Sequence, residues 1–435
     1  MEQNYWVYQD CFIFKPEFNS SIIDYLDIIK LYSKLVFSDY NDLESSIKVI
    51  NNHYKFGYDD SEYDDSESII KQKDNYYLTQ YFGSNFNVQL ANSLDGLINL
   101  THLTFGYNFN QHLTNSLDQL INLKYLTFSY QFDHPLFNSL DQLINLKYLN
   151  LYGKFNKPLN NSLDKLINLT HLILGFSFNQ PLINTLDKLI NLTHLAFTSN
   201  FNLQLGNSLD KLINLTHLTF KGLFNKPLFN SLNKLVNLKI LDLGLQFNQP
   251  LTNSLDKLVN LTQLIFWKDF NQPLTNSLDK LVNLTLLIFS EDFNYPLANS
   301  LVKLTNLTHI IFGNKFNQSL TSILYYLTKL KKLHLGFEFN QELNLPPNIK
   351  ILTLNCNNQN LIDSLPNSIE QLIFDLRFTL QLNNLPSSIK KIKLCNSEYN
   401  NPLENLPKSL EQLELSENYK LEIKNIPLNC KIIYL

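Results

Sequence analysis

The sequence predicts an α/β solenoid: a curved parallel sheet of short strands, short helical segments on the convex side, and a small helical module ahead of the first turn. Three observations carry this expectation. Phenylalanine occupies 86, 109, 132, 155, 178, 201, 224, 247, 270, 293, 316 and 339, a spacing of 23 residues without a slip. Leucine recurs at fixed offsets inside each interval. The chain has 435 residues, long for one compact globule. A fixed period of this size means that each unit buries its apolar side only against its neighbours.

One unit, LTQLIFWKDFNQPLTNSLDKLVN at 261–283, shows how the elements arise. Leu261, Leu264 and Phe266 follow an LxxLxL spacing. The alternation through Leu264 and Phe266 sends both side chains to one face of a short strand. Phe270 and Leu274 fill the turn that follows. Asn276 or Ser277 can cap a short helical segment whose Leu278 and Leu281 point inward at i, i+3. Asp279 sits in its first turn, where a carboxylate suits the helix dipole. Stacking then makes one continuous sheet and a column of Phe rings. The Asn after each Phe is expected to satisfy backbone groups of its own and the neighbouring turn.

Near residue 340 the wording changes. Proline at 346, 366, 386, 407 and 427 opens units of 20 or 21 residues, such as LPNSIEQLIF and LPSSIKKIKL. Proline donates no backbone hydrogen bond and holds its predecessor extended, so the convex segment should shorten to an extended or 3₁₀ turn. The 23-residue units resemble leucine-rich repeats. The FNQPL…LPxSI wording resembles FNIP repeats, which are expanded in social amoebae and giant amoeba-infecting viruses. Together the two resemblances divide the chain into 76–342, leucine-rich repeats, and 343–435, shorter FNIP-like repeats. One departure concerns the Asn of many leucine-rich repeats three residues after the last strand Leu. Here that slot varies (Asn108, Lys154, Leu223, Asp269, Glu338).

Ahead of Phe86 the period is absent. Residues 1–58 read as a helical module, and 59–75, around DDSEYDDSES, as an acidic linker. In KPEFNSSIIDYLDIIKLYSKL, Asn19 or Ser20 is a cap before Ile22, Ile23, Leu26 and Ile29. Pro16, Glu17, Ile22 and Leu26 resemble the start of an F-box, although no Cys-Lys-x-Trp ending follows. The other reading is a cap that shields the first strand, as terminal repeats require.

Composition narrows the function. A formal net charge of −4, from 35 basic and 39 acidic side chains, points to neither nucleic acid nor an anionic membrane. No apolar run reaches the roughly 18 residues that would span a bilayer. Four scattered cysteines form no CxxC pair, and no secretory signal opens the chain, so a cytoplasmic setting is expected, host cytoplasm if the chain is viral. Asn-Leu-Thr sequons lead straight into core Leu positions and read as repeat wording, not sugar sites. No nucleophile elbow, phosphate loop or HExxH is present, so no catalytic residue and no cofactor is expected. His102, His171, His194, His217 and His309 share one strand-face position. They read as a polar ladder, not a metal site.

Function should then lie on the variable strand face, which leucine-rich repeats use to bind protein. In the later units that face turns apolar at Leu245, Ile265, Trp267, Leu286, Ile288 and Ile311, with Tyr152 and Phe176 facing the same way earlier. Beside Lys221, Lys268 and Glu291, an apolar strip with a Trp anchor fits a partner-binding hot spot. Two readings of the whole chain stay open. In one it is a ubiquitin-ligase substrate adaptor whose residues 10–55 dock a Skp-type subunit. In the other it is a standalone scaffold or decoy with a capped N-terminus. The last strand, KIIYL, has an open edge that suits weak self-association.

Overall fold

The structure, a computed structural model, describes residues 4–38, 43–45, 85–374 and 378–435. The acidic segment 59–75 lies outside the described residues. The chain divides into two compact units, Met1–Phe201 and Asn202–Leu435.

In the first unit, β1 (Tyr5–Tyr8) pairs antiparallel with β2 (Cys11–Phe14), and every later pairing is parallel. The order continues through β3 (Lys34–Phe37), β4 (His102–Thr104), β5 (Tyr125–Thr127), β6 (Tyr148–Leu151), β7 (His171–Leu174) and β8 (His194–Phe197). The second unit stacks β9 (His217–Phe220), β10 (Ile240–Asp242), β11 (Gln263–Ile265), β12 (Leu286–Ile288), β13 (His309–Ile311) and β14 (Lys332–Leu335). The shorter units follow: β15 (Ile351–Leu354), β16 (Gln371–Phe374), β17 (Lys391–Leu394), β18 (Gln412–Leu415) and β19 (Lys431–Tyr434). Both units are parallel β-solenoids.

The Phe column forms as its period requires. Rings 86, 109, 132, 155, 178 and 201 stack at centroid distances of 5.8–6.3 Å. Rings 224 to 339 do the same at 6.0–6.3 Å. The last Phe of several strands packs on this spine, as Phe266 does on Phe270 at 4.0 Å.

The adjoining Asn makes a second ladder. Its Oδ1 accepts the backbone N–H of the Asn one turn on: Asn87 from Asn110 (2.8 Å), Asn225 from Asn248 and Asn248 from Asn271 (both 3.0 Å). Asp133 does the same for Asn156 at 2.9 Å, so a carboxylate can take the place. A third ladder runs through the sequons. Asn168, Asn260 and Asn283 each donate Nδ2–H to the carbonyl of an Ile or Val one turn back, at 2.8–2.9 Å. Asn248→Ala is expected to cost about 1–2 kcal/mol in chemical unfolding, because the Asn271 N–H loses its acceptor. Asn248→Asp should keep most of that stability, as Asp133 shows.

The convex segments are single turns closed by i→i+3 bonds, such as Ser277 N–H to Leu274 O (2.9 Å) and Leu281 N–H to Leu278 O (3.0 Å). They are too short to propagate a 3.6-residue helix. Asn276 adopts φ +58°, so it is no helix cap. From Ala91 to Ala298 each unit places one left-handed residue in this corner, and side-chain shape decides which; the turn at Thr321 and the turn 11–33 have none. Where the first candidate is β-branched (Thr114, Ile183, Thr252, Thr275), the following Asn115, Asn184, Asn253 or Asn276 takes the positive φ. Where it is Ala91, Phe137, Asn160, Phe229 or Ala298, that residue takes it itself. Branching at Cβ is what the left-handed region excludes. In the shorter units Pro opens the turn, with Ile369 N–H reaching Pro366 O and Ile389 N–H reaching Pro386 O, both at 3.2 Å. One has a helix, α1 (Gln359–Asp363), capped by Asn358.

Over residues 4–38 the N-terminal stretch departs from a helical module; the rest of 1–58, apart from the helical 43–45, lies outside the described residues. Register pairs Cys11 with Lys34 and Phe14 with Phe37, 23 residues apart. Residues 11–33 are therefore one complete 23-residue turn. Phe18 is its spine ring, stacked on Phe14 (3.9 Å) and Phe86 (5.6 Å), and Asn19 Oδ1 accepts the Asn87 N–H at 3.0 Å. Ile22 and Ile29 fill the places of core leucines and are fully buried. The only helical content over 4–38 is a 3₁₀ turn at Ile22–Tyr25 and one α turn at Leu26–Ile29. Pro16, Glu17, Ile22 and Leu26, the F-box-like residues, belong to this turn. The next turn holds the insertion: Phe37 and Phe86 pack at 4.1 Å although they lie 49 positions apart, where other units separate the same pair by four.

Candidate functional site

Strand residues one and three of each turn face away from the core, so they and the loop just after the strand form the variable surface. In the second unit Ile265, Ile288 and Ile311 lie in one cross-strand row, with Leu286 beside Gln263 in the next. The row is less open than its wording predicts. Ile265, Leu286 and Ile288 are buried, while Ile311, Leu245 and Trp267 are half-buried. Neighbouring strands stand about 4.8 Å apart, so adjacent apolar side chains shield one another. Leu245 lies past the end of β10, in the loop. Tyr152 and Phe176 belong to the first unit; Tyr152 extends a Tyr107–Tyr130 stack (6.1 Å from Tyr130), and Phe176 is 44% exposed.

Trp267 does not stand free as an anchor; it turns back one turn. Its Nε1–H donates to Asp242 Oδ1 at 2.6 Å, and the Gly244 N–H donates to the same oxygen at 3.0 Å. Lys221 Nζ lies 3.6 Å from Asp242 Oδ2 and 5.6 Å from the centroid of the Trp267 ring. Three consecutive turns thus converge on one carboxylate that is 0% exposed. Burial raises the Asp242 pKa, and Lys221, the Gly244 amide and the indole N–H oppose that rise. Sequence reading missed Asp242. Its signal was there: an acid at strand position three, where neighbouring units carry Thr219, Ile265 and Ile288.

The histidine ladder is real in its spacing and neutral in at least one member. His171 and His194 stack at 4.2 Å, and His102 stacks on Tyr125 at 4.3 Å. The Thr170 hydroxyl donates to Lys147 O (2.9 Å) and meets His171 Nδ1 at 2.8 Å. Since that hydroxyl has one proton, the imidazole Nδ1–H is the donor between them. Burial, helped by Lys34, pushes the His102 pKa down to about 4. Farther along, Lys391 (2.7 Å) and Lys393 (3.6 Å) clasp Glu414 on the same face. Burial pulls Glu414 upward, but the two lysines more than offset it and its pKa falls. Among the described residues no three His, Cys, Asp or Glu side chains gather as a metal site. No helix among them is long and apolar enough to cross a membrane.

Comparison with known proteins fits this geometry. The family model described as FNIP Repeat matches residues 339–376 and 379–418. The chain contains FNIP repeats. Among solved structures, an internalin of Listeria monocytogenes is similar over 71% of this chain and 85% of its own, at 17% identity and a TM-score of 0.51. That likeness places the fold with the leucine-rich-repeat solenoids. CroV588, a circular leucine-rich-repeat protein of a giant virus, aligns over 99% of this chain and 77% of its own, at 22% identity and a TM-score of 0.45. A leucine-rich-repeat protein of Leptospira interrogans aligns over 80% and 90%, at 19% identity and 0.49. No curated protein matches the sequence.

Proposed function

We propose that this FNIP-repeat solenoid is a non-enzymatic recognition protein that holds a protein partner against the strand face of its second unit, around Trp267. The observation that carries the reading is the pinned indole. A large aromatic side chain, held in one orientation by a buried carboxylate on the turn that pairs with the strand of Ile265, is pre-organised for a partner at little entropic cost. The invariant core specifies the solenoid, and the variable face specifies what it holds.

The N-terminal geometry supports the capping reading over the adaptor reading. Within the described part of 10–55, a Skp-type subunit would have to engage residues already spent on β2, β3 and the Phe14–Phe18–Phe37–Phe86 stack. The four unbridged thiols suit a cytoplasmic setting.

Affinity capture with the full chain tests these points together. Trp267→Ala is expected to lose at least one protein that wild type retains while still unfolding in one cooperative transition, at a lowered temperature because Asp242 loses one of its donors. A Skp-type subunit retained by both would revive the adaptor. If wild type and Trp267→Ala retain identical proteins, the proposed site is wrong. Sedimentation of the same preparation reads self-association through β19, whose Tyr434 is exposed.

A further inference from the structure

Two histidines outside the strand-face ladder break the repeat wording in adjacent turns. At 23-residue spacing, His134 occupies the column of Gln111, Gln180, Gln249 and Gln272, and His112 the column of Pro135, Pro158, Pro181 and Pro250. The glutamines have a structural task. Gln111 Nε2–H reaches Asn87 O at 2.9 Å, and Gln180 Nε2–H reaches Asn156 O at 3.1 Å. His134 does the same work, its Nε2 lying 3.1 Å from Asn110 O.

That contact fixes the tautomer. A carbonyl oxygen only accepts, so Nε2 carries the proton and the lone pair of the neutral ring lies on Nδ1. An imidazole whose far N–H is tied to a backbone carbonyl is the arrangement metal-ligating histidines adopt. The His112 ring stands 4.0 Å from the His134 ring, tilted by 42° rather than stacked flat. His112 is exposed, and among the described residues no hydrogen bond engages its ring. A glutamine and a proline here would serve the fold equally well, as they do in other turns; neither could bind a metal.

We propose that His112 and His134 form a two-imidazole site for a borderline divalent transition-metal ion, of the class of Zn²⁺, Ni²⁺ or Cu²⁺. Imidazole nitrogen suits these ions and not Mg²⁺ or Ca²⁺. Asp133 does not join as a third ligand, since Lys157 (2.8 Å) and the Asn156 N–H (2.9 Å) hold its carboxylate. Water completes the coordination, so binding is modest and weakens on acidification, because the ligand nitrogens must be unprotonated.

The repeat supplies its own fold-neutral variants. His134→Gln restores the glutamine ladder, and His112→Pro restores the proline column. Calorimetric titration of the full chain with Zn²⁺ and Ni²⁺ is expected to show one site in wild type. Each variant should weaken it about tenfold or more while thermal unfolding without metal stays unchanged. With Cu²⁺, electron paramagnetic resonance should show two nitrogen couplings in wild type and one in either variant. Absence of binding by wild type, or equal binding by wild type and both variants, would overturn the site; the second result would move the metal to other histidines.

Discussion

Gly244→Ala is expected to destabilise the second unit by about 3 kcal/mol or more, adding left-handed strain to overpacking. Gly244 has φ +74°, and an added Cβ would lie 1.8 Å from Phe220 O and 2.7 Å from its carbonyl carbon, both rigid backbone one turn back. No rotamer change relieves such a contact, so the turn itself must shift. The shift would reach Asp242, whose Oδ1 holds the Gly244 N–H. Gly206 is the internal control. It has φ +54°, but a Cβ there meets nothing within 4 Å. Gly206→Ala should therefore show only the conformational penalty, on the order of 1 kcal/mol, and Gly206→Asn should be close to neutral, because Asn160 adopts φ +42° in the same corner. Chemical unfolding of the three variants separates strain from overlap. Equal losses for Gly244→Ala and Gly206→Ala would show that the turns are looser than their spacing implies.

Much of this architecture was legible because it is periodic. Phe at every 23rd residue required a stacked column, and the Asn beside it had to answer for backbone groups that each turn leaves open. What escaped was written once. The turn 11–33 has the right spacing, but Phe12, Ile22, Ile29 and Tyr32 stand where leucines stand elsewhere, and the insertion after Phe37 breaks the count before it repeats. A period needs two copies to be seen, so Phe18-Asn19 looked like part of a helical module. The convex helices failed for another reason. Capping residues and i, i+3 leucines are common to a helix and to a chain of 3₁₀ turns, and only segment length distinguishes them. On the strand face, sequence located Ile265, Leu286, Ile288 and Ile311 in adjacent rows. It could not give their burial, which arises from neighbours 23 residues away, nor the turn of Trp267 toward Asp242.

Asp242→Ala is expected to cost about 3–5 kcal/mol, the usual penalty for breaking a buried ion pair, and to release Trp267 from its fixed orientation. The carboxylate accepts from the indole N–H and the Gly244 amide and faces Lys221, so its loss strips an acceptor from three groups at once. Lys221→Met alone should also destabilise, by leaving a buried carboxylate without that cation. The double variant Lys221→Met/Asp242→Thr should recover most of the loss, since Thr219 and Thr353 occupy the same strand position and a buried pair is often matched by neutral residues. The pH dependence has a definite sign. The folded pKa of Asp242 is raised, so the folded chain binds this proton more readily than the unfolded chain. Its contribution to stability is therefore fully present below the unfolded carboxylate pKa and is lost as pH rises through the higher folded value. Wild type measured against Asp242→Asn should gain stability on acidification through that window, while other acids, Glu370 and Glu414 among them, cancel in the difference. A flat difference would mean that Lys221 and the two N–H donors balance burial and hold the carboxylate at its ordinary pKa. Partner binding then reads what the pair is for: if Lys221→Met/Asp242→Thr folds as stably as wild type yet loses the partner lost by Trp267→Ala, the buried charge serves the orientation of the indole, not the fold.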